Sequence, residues 1–136
     1  MRPSTANVVV LLNERNQILC LRRGLTAPSF PGHWNLPGGY SDADDTSFRA
    51  GAARELFEEA GVRVEPISLC WAFSYRDRET QIHVFWLQLP YTPQIQFVDR
   101  EHDAFVWANL NQLPQPAVPA LGFVARNVFT RVRDSV

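Results

Sequence analysis

Residues 54–62 read Arg54, Glu55, Leu56, Phe57, Glu58, Glu59, Ala60, Gly61, Val62, so three carboxylates crowd the end of what the spacing predicts to be one helix. At about 100° per residue, with Glu55 set at zero, Glu58 falls at about 300° and Glu59 at about 40°, and the three share a face. Like charges so placed repel by roughly 0.2–0.5 kcal/mol per pair, which a solvated surface tolerates and a divalent cation converts into affinity. Ala50, Ala52, Ala53, Leu56, Phe57 and Ala60 make a separate apolar arc, wide enough for a helix to bury against a sheet. One face is expected to pack, leaving the acidic face for chemistry.

Strands are expected on either side of this helix. Residues 8–12 and 18–21 are short apolar runs separated by the polar stretch 13–17 and read as a hairpin. Residues 27–37 hold Pro28, Pro31, Pro37 and Gly32 and predict an ordered loop or edge segment ending in a tight turn at Gly38 and Gly39. Thr46 or Ser47 can cap the acidic helix, and Gly61 stops it. Residues 69–75 and 81–89 flank a second turn at 76–80, residues 90–100 read as loop, and 104–108 as a last short strand. Leu121, Val124, Val128 and Val132 give residues 118–132 helical spacing. Strands mixed with two helices imply an α/β chain whose sheet is covered on both faces.

The chain's 136 residues, 46% hydrophobic and 20% charged, fit one globular domain over 1–136. Thirteen basic against fourteen acidic residues leave a net charge of −1, so no cationic excess exists to hold a long nucleic acid by counterion release. A small, metal-chelated anion is easier to accommodate. No apolar run approaches the roughly 18 residues of a membrane span, and residues 1–6 lack a signal-peptide core, which predicts a cytoplasmic protein. Cys20 and Cys70 lie in apolar runs without metal-ligand spacing and are expected as small core residues. His33, His83 and His102 also lack such spacing, and His102 reads as a loop residue or a partner of a neighbouring ligand.

Residues 54–62 follow the order of the second half of the Nudix box. In a chain this long a chance match is on the order of one in 10⁵, so the order is not explained by composition. Leu36, Pro37, Gly38 and Gly39 lie upstream, like the family's entry to the box, and Glu101 precedes Trp107 by six positions, as the extra glutamate of MutT-like members does. The chain therefore resembles the Nudix hydrolase family. That resemblance implies an α/β/α sandwich, a mixed β-sheet between helices, with the box as a loop-helix-loop. The first half of the box departs from the pattern. Asp45 stands six positions after Gly39 where the family has glutamate, and Arg54 arrives one residue late. Asp42, Asp44 and Asp45 are all open to the missing role. The coenzyme A pyrophosphatase branch shows a similar lengthening.

Carried over by motif position, the resemblance implies a Mg²⁺ or Mn²⁺ site with Glu55, Glu58, Glu59, Glu101 and the Gly38 carbonyl as candidate ligands. Glutamate oxygens are hard donors suited to either ion. Glu55 is the first choice as general base, oriented by Arg54, with Glu58 beside it in the catalytic group. Arg22, Arg23 and Gly39 are candidates for the substrate side, since a planar guanidinium matches phosphate oxygens. Phe30, Trp34 and Tyr75 have the chemistry to stack on a base but are weighed first as packing residues. The expected activity is a metal-dependent pyrophosphohydrolase acting on a nucleoside di- or triphosphate, or a nucleoside diphosphate linked to another moiety X. The partner is a small nucleotide, and the chain is expected as monomer or homodimer. A coenzyme A-type pyrophosphatase and a catalytically silent ligand-binding module are the alternatives.

Overall fold

In the computed structural model, which describes residues 4–134, the central strand is apolar on both sides. This strand, β1 (Ser4–Leu12), turns Val9 and Leu11 to one face of the sheet and Val10 and Leu12 to the other, all four fully buried. Such a run marks a strand covered twice. β2 (Ile18–Arg23), β3 (Trp34–Asn35), β4 (Gly38–Tyr40), β5 (Cys70–Asp77), β6 (Thr80–Gln88) and β7 (His102–Ala108) complete a seven-stranded sheet. Its order is β3-β2-β1-β6-β5, with β4 also on β1 and β7 on β2. β1 and β6 run parallel and every other pairing is antiparallel, so the sheet is mixed.

Two helices cover it. α1 (Phe48–Ala60) sets Ala52, Leu56 and Ala60 against Val9, Leu11, Leu19 and Leu21. α2 (Ala120–Asp134) sets Leu121, Val124, Ala125 and Val128 against Val10, Leu12, Ile18 and Cys20. The result is the expected α/β/α sandwich, and each fully buried leucine such as Leu56 contributes about 1.5–3 kcal/mol of transfer free energy. Ser47 caps α1 by accepting a hydrogen bond from the Ala50 amide at 3.0 Å, and Gly61 ends it at φ 72°, where a side chain would be strained. Among the described residues no helix is long and apolar enough to cross a membrane.

Four expectations need correction. Gly38 and Gly39 form no tight turn; they lie in β4, paired with Val8 and Asn7 of β1. Their small size serves close approach instead, because a Cβ on Gly39 would stand 2.8 Å from the Glu55 carboxylate. The apolar arc of α1 is only partly buried: Glu55 and Glu59 enter the buried face with Gly51, Ala52, Leu56 and Ala60, while Ala50, Ala53 and Phe57 are half-buried. Phe57 is instead covered by the Arg63 guanidinium, 4.1 Å above its ring. Cys20 is buried, with its thiol pushed up to about 12 by desolvation, but Cys70 is exposed at the start of the edge strand β5. His102 begins strand β7 rather than a loop.

Candidate metal and active site

The acidic face of α1 meets the loop that precedes β7. Backbone hydrogen bonds hold the two together, from the Gln96 amide to the Ala60 carbonyl and from the Asp99 amide to the Glu58 carbonyl, each 2.9 Å. These occupy carbonyls at the helix end that would otherwise lack partners. The Glu101 amide then bonds Asp99 Oδ1 at 3.1 Å, and the Glu101 carbonyl accepts from the Gly24 amide, at the end of β2, at 3.0 Å. As a consequence Glu59, Asp99 and Glu101 each bring one carboxylate oxygen within 4.8 Å of the other two. Three hard oxygens at that separation suit a divalent cation, and Glu101 is exposed enough to leave room for a ligand from solvent.

Glu59 is the buried member, 3% exposed, and its Oε1 accepts the Gly38 amide at 2.9 Å. Burial pushes its carboxyl up to about 10 in the metal-free protein, opposed by the Gly38 bond and reinforced by the charge of Glu55. The Glu55 carboxyl is also raised, chiefly by burial, against its hydrogen bond to Glu59 and the nearby Arg54 charge. Two neighbouring carboxyls that resist losing a second proton invite a cation in its place.

Arg54 holds the other side. A guanidinium has five N–H donors, and here each is used. Nε and Nη2 reach the two oxygens of Asp45 at 2.9 and 3.1 Å, Nη1 reaches Glu55 at 3.0 Å and Glu58 at 3.2 Å, and Nη2 reaches the Tyr40 carbonyl at 3.3 Å. Hydrogen bonding from Arg54 lowers the Asp45 carboxyl below its usual range, and Asp45 in turn raises Arg54. Of the three aspartates left open by the sequence, Asp45 is the one on Arg54; Asp42 and Asp44 are exposed. Its signal was its place, six residues after Gly39. Asp99 was missed altogether, although two acids spaced two apart on a loop pointed to it.

Among the predicted residues, Glu59 and Glu101 come together, with Gly38 on Glu59, while Glu55 borders Glu59 and Glu58 turns toward Arg54. Arg22 and Arg23 end the strand joined to Glu101 through Gly24, but both side chains are engaged. Arg22 donates to Asp103 at 2.7 Å and lies 5.9 Å over the Trp34 ring, and Arg23 donates to the Ser29 carbonyl at 2.8 Å. Phe30 is exposed, Trp34 packs partly on the α2 side of the core, and Tyr75 contacts Phe73 and Phe123 there. Gly39 can accept no side chain without moving Glu55. Gly39→Ala is therefore expected to lower turnover by about 10-fold or more through that displacement, with the unfolding midpoint and the kinetics measured on the same preparation.

A layered α/β fold with this acidic helix end defines a class, and the family model described as NUDIX domain matches residues 1–130. The chain belongs to the Nudix family. It is 44% identical over 64 residues to an m7GpppN-mRNA hydrolase from Danio rerio, covering 46% of this chain and 21% of that protein. It is 38% identical over 82 residues to a MutT-like protein from Streptomyces ambofaciens, covering 60% of this chain and 48% of that one. The chain thus spans between about a fifth and a half of the length of these curated relatives. Among solved structures, the NUDIX domain of Shewanella oneidensis NrtR complexed with ADP ribose superposes with a TM-score of 0.82 at 20% identity, over 97% of this chain and 90% of that one. A bifunctional NMN adenylyltransferase/ADP ribose pyrophosphatase from Francisella tularensis, complexed with AMP and Mn ion, superposes at 0.73 and 22% identity, over 98% of this chain and 42% of that one.

Proposed function

We propose that this protein is a divalent-metal-dependent pyrophosphohydrolase that cleaves a phosphoanhydride in a nucleoside di- or triphosphate, or in a nucleoside diphosphate linked to another moiety. The observation that carries this reading is the convergence of Glu59, Asp99 and Glu101 beside two further carboxylates gripped by one arginine. The donor set suits Mg²⁺ or Mn²⁺, held by Glu59, Asp99 and Glu101 with Glu55, Glu58 and the Gly38 carbonyl alongside. When bound, the ion would neutralise phosphate charge and acidify water. Glu55 is the general base: it takes the proton of the attacking water as a new phosphorus–oxygen bond forms and the anhydride bond breaks. Arg54 orients it and supports its ionised form. Arg22 and Arg23, at the end of β2, face the substrate phosphates, Arg22 by exchanging Asp103 for phosphate oxygen. The Mn ion in the Francisella structure supports the metal requirement, and the AMP there, ADP ribose in the Shewanella structure and the capped RNA named for the Danio relative support a small nucleotide-derived substrate.

The test is a panel of ATP, ADP-ribose, a dinucleoside tetraphosphate, a capped dinucleotide and coenzyme A, each with Mg²⁺ or Mn²⁺. Release of a nucleoside mono- or diphosphate with phosphate or pyrophosphate, or of adenosine 3′,5′-bisphosphate from coenzyme A, that stops with EDTA is the expected result. Release from coenzyme A alone would assign the coenzyme A type. No release from any compound would make the chain a silent binding module.

A further inference from the structure

Asn7 is the single polar residue of β1 after Ala6, and it is fully buried. It pairs with Gly39 on one side and His83 on the other, and the alternation of the strand turns it to the α1 face, as it does Val9 and Leu11. Its Nδ2 donates to Ser41 Oγ at 3.0 Å, while its Oδ1 finds no donor among the described residues. A buried acceptor without a partner opposes folding, and a valine here would continue the apolar run. The one side-chain hydrogen bond the amide makes among the described residues goes to the loop that Ser41 opens.

Ser41 opens the acidic loop. It also accepts from Thr5 Oγ1 at 2.8 Å and donates its amide to the Thr5 carbonyl at 2.9 Å, so β1 clamps it from two residues. Four residues on, Asp45 closes the loop on itself: its amide reaches the Asp42 carbonyl at 3.0 Å and its Oδ2 accepts the Asp42 amide at 2.8 Å. Gly51 of α1 supplies the space for this arrangement. A Cβ there would stand 2.7 Å from Asp45 Oδ2 and 2.8 Å from Asn7 Nδ2, so the two side chains flank one notch in the helix. From Asp45 the chain of contacts passes to both sides of the Arg54 fork and on to Glu55 and Glu58.

We infer that Asn7 is a positioning residue, which through Ser41 and Asp45 fixes the Arg54 guanidinium and with it the aim of Glu55 and Glu58. The catalytic consequence rests on the proposed hydrolase, whereas the hold on Arg54 does not. The two are separated by following the Arg54 Nε–H in ¹H–¹⁵N spectra, assigned by its loss in Arg54→Lys, alongside the unfolding midpoint and kcat and KM for whichever panel nucleotide is turned over. In Asn7→Val the midpoint is expected to hold or rise, the Nε–H to exchange with solvent about 10-fold faster or more, and kcat to fall about 10-fold or more while KM stays within about twofold. Ser41→Ala should reproduce the loosening of Arg54, and the double variant should add little to either, because all three break one path. Should Asn7→Val fail to fold, Ser41→Ala carries the test alone. An unchanged Arg54 signal in the folded variants overturns the inference, as does a lowered midpoint with the Arg54 signal intact, which is the mark of plain packing. A loosened Arg54 in a protein that hydrolyses nothing leaves the positioning role standing and removes the hydrolase.

Discussion

Glu59→Gln is expected to cut metal-dependent turnover by at least about 100-fold while leaving the metal-free fold as stable as before or more so. Loss of groups that merely orient metal ligands costs about 10–100-fold, and Glu59 is proposed as a ligand itself. Glutamine has the shape of a protonated glutamate, and burial pushes the Glu59 carboxyl up to about 10, so near neutral pH the metal-free protein already holds an uncharged group there. The sign of the pH dependence follows from linkage. Because the folded value lies above the ordinary 4.5, stability from this group is complete below about 4.5 and is lost as the pH rises toward about 10. Glu59→Gln removes that loss, so the two unfolding midpoints should separate as the pH is raised in EDTA. With Mg²⁺ or Mn²⁺ the order should reverse, since binding replaces the proton in the wild type and stabilises only a chain that still has the carboxylate. Parallel thermal melts across pH, with and without metal, check both statements. Equal turnover in the variant would remove Glu59 from the site.

Arg54→Met is the second large effect, expected to cost about 3 kcal/mol of stability and most of the activity. The methionine keeps much of the apolar stem but withdraws all five donors. Asp45, whose side chain is 8% exposed, and Glu55, 11% exposed, would then face Glu58 with no cation between them. Removing one partner from a largely buried charge group typically costs about 3–5 kcal/mol, and the lower figure applies here because Arg54 is itself 26% exposed. Arg54→Lys should recover little, since an ammonium has no planar fork to span both oxygens of Asp45 while reaching two glutamates. Urea unfolding with kinetics on the same preparations provides the measurement. Wild-type stability in Arg54→Met would show that the four side chains are independent.

The acidic helix was legible because helical period is local. Glu55, Glu58 and Glu59 share a face wherever that helix is placed, and Ser47 and Gly61 bound it by their own hydrogen bonding and φ. Strand segments mixed with two helical ones implied a sheet covered on both faces, and the structure shows β1 to be the strand buried on both. What could not be read locally was which part of α1 turns inward. The apolar arc suggested Phe57 and Ala53, but the sheet carries Gly39 opposite Glu55 and Asn7 opposite Gly51, and the space left by Gly39 admits the Glu55 carboxylate. Likewise Cys70 sits in an apolar run yet is exposed, because only the strand order shows that β5 is an edge.

From its order of residues alone, this chain determined an acidic helix end, a set of strands mixed with two helices and the family to which they belong, since each depends on contacts within a few positions or on a fixed motif. Only the tertiary structure decided the company those carboxylates keep. Asp99 reaches Glu59 because a loop forty residues away docks on the last carbonyls of α1, and Asp45 reaches Arg54 because β1 clamps the start of its loop. Side chains so distant in sequence are brought together by backbone hydrogen bonds and by the room that glycine leaves, and neither has a local periodicity to announce it.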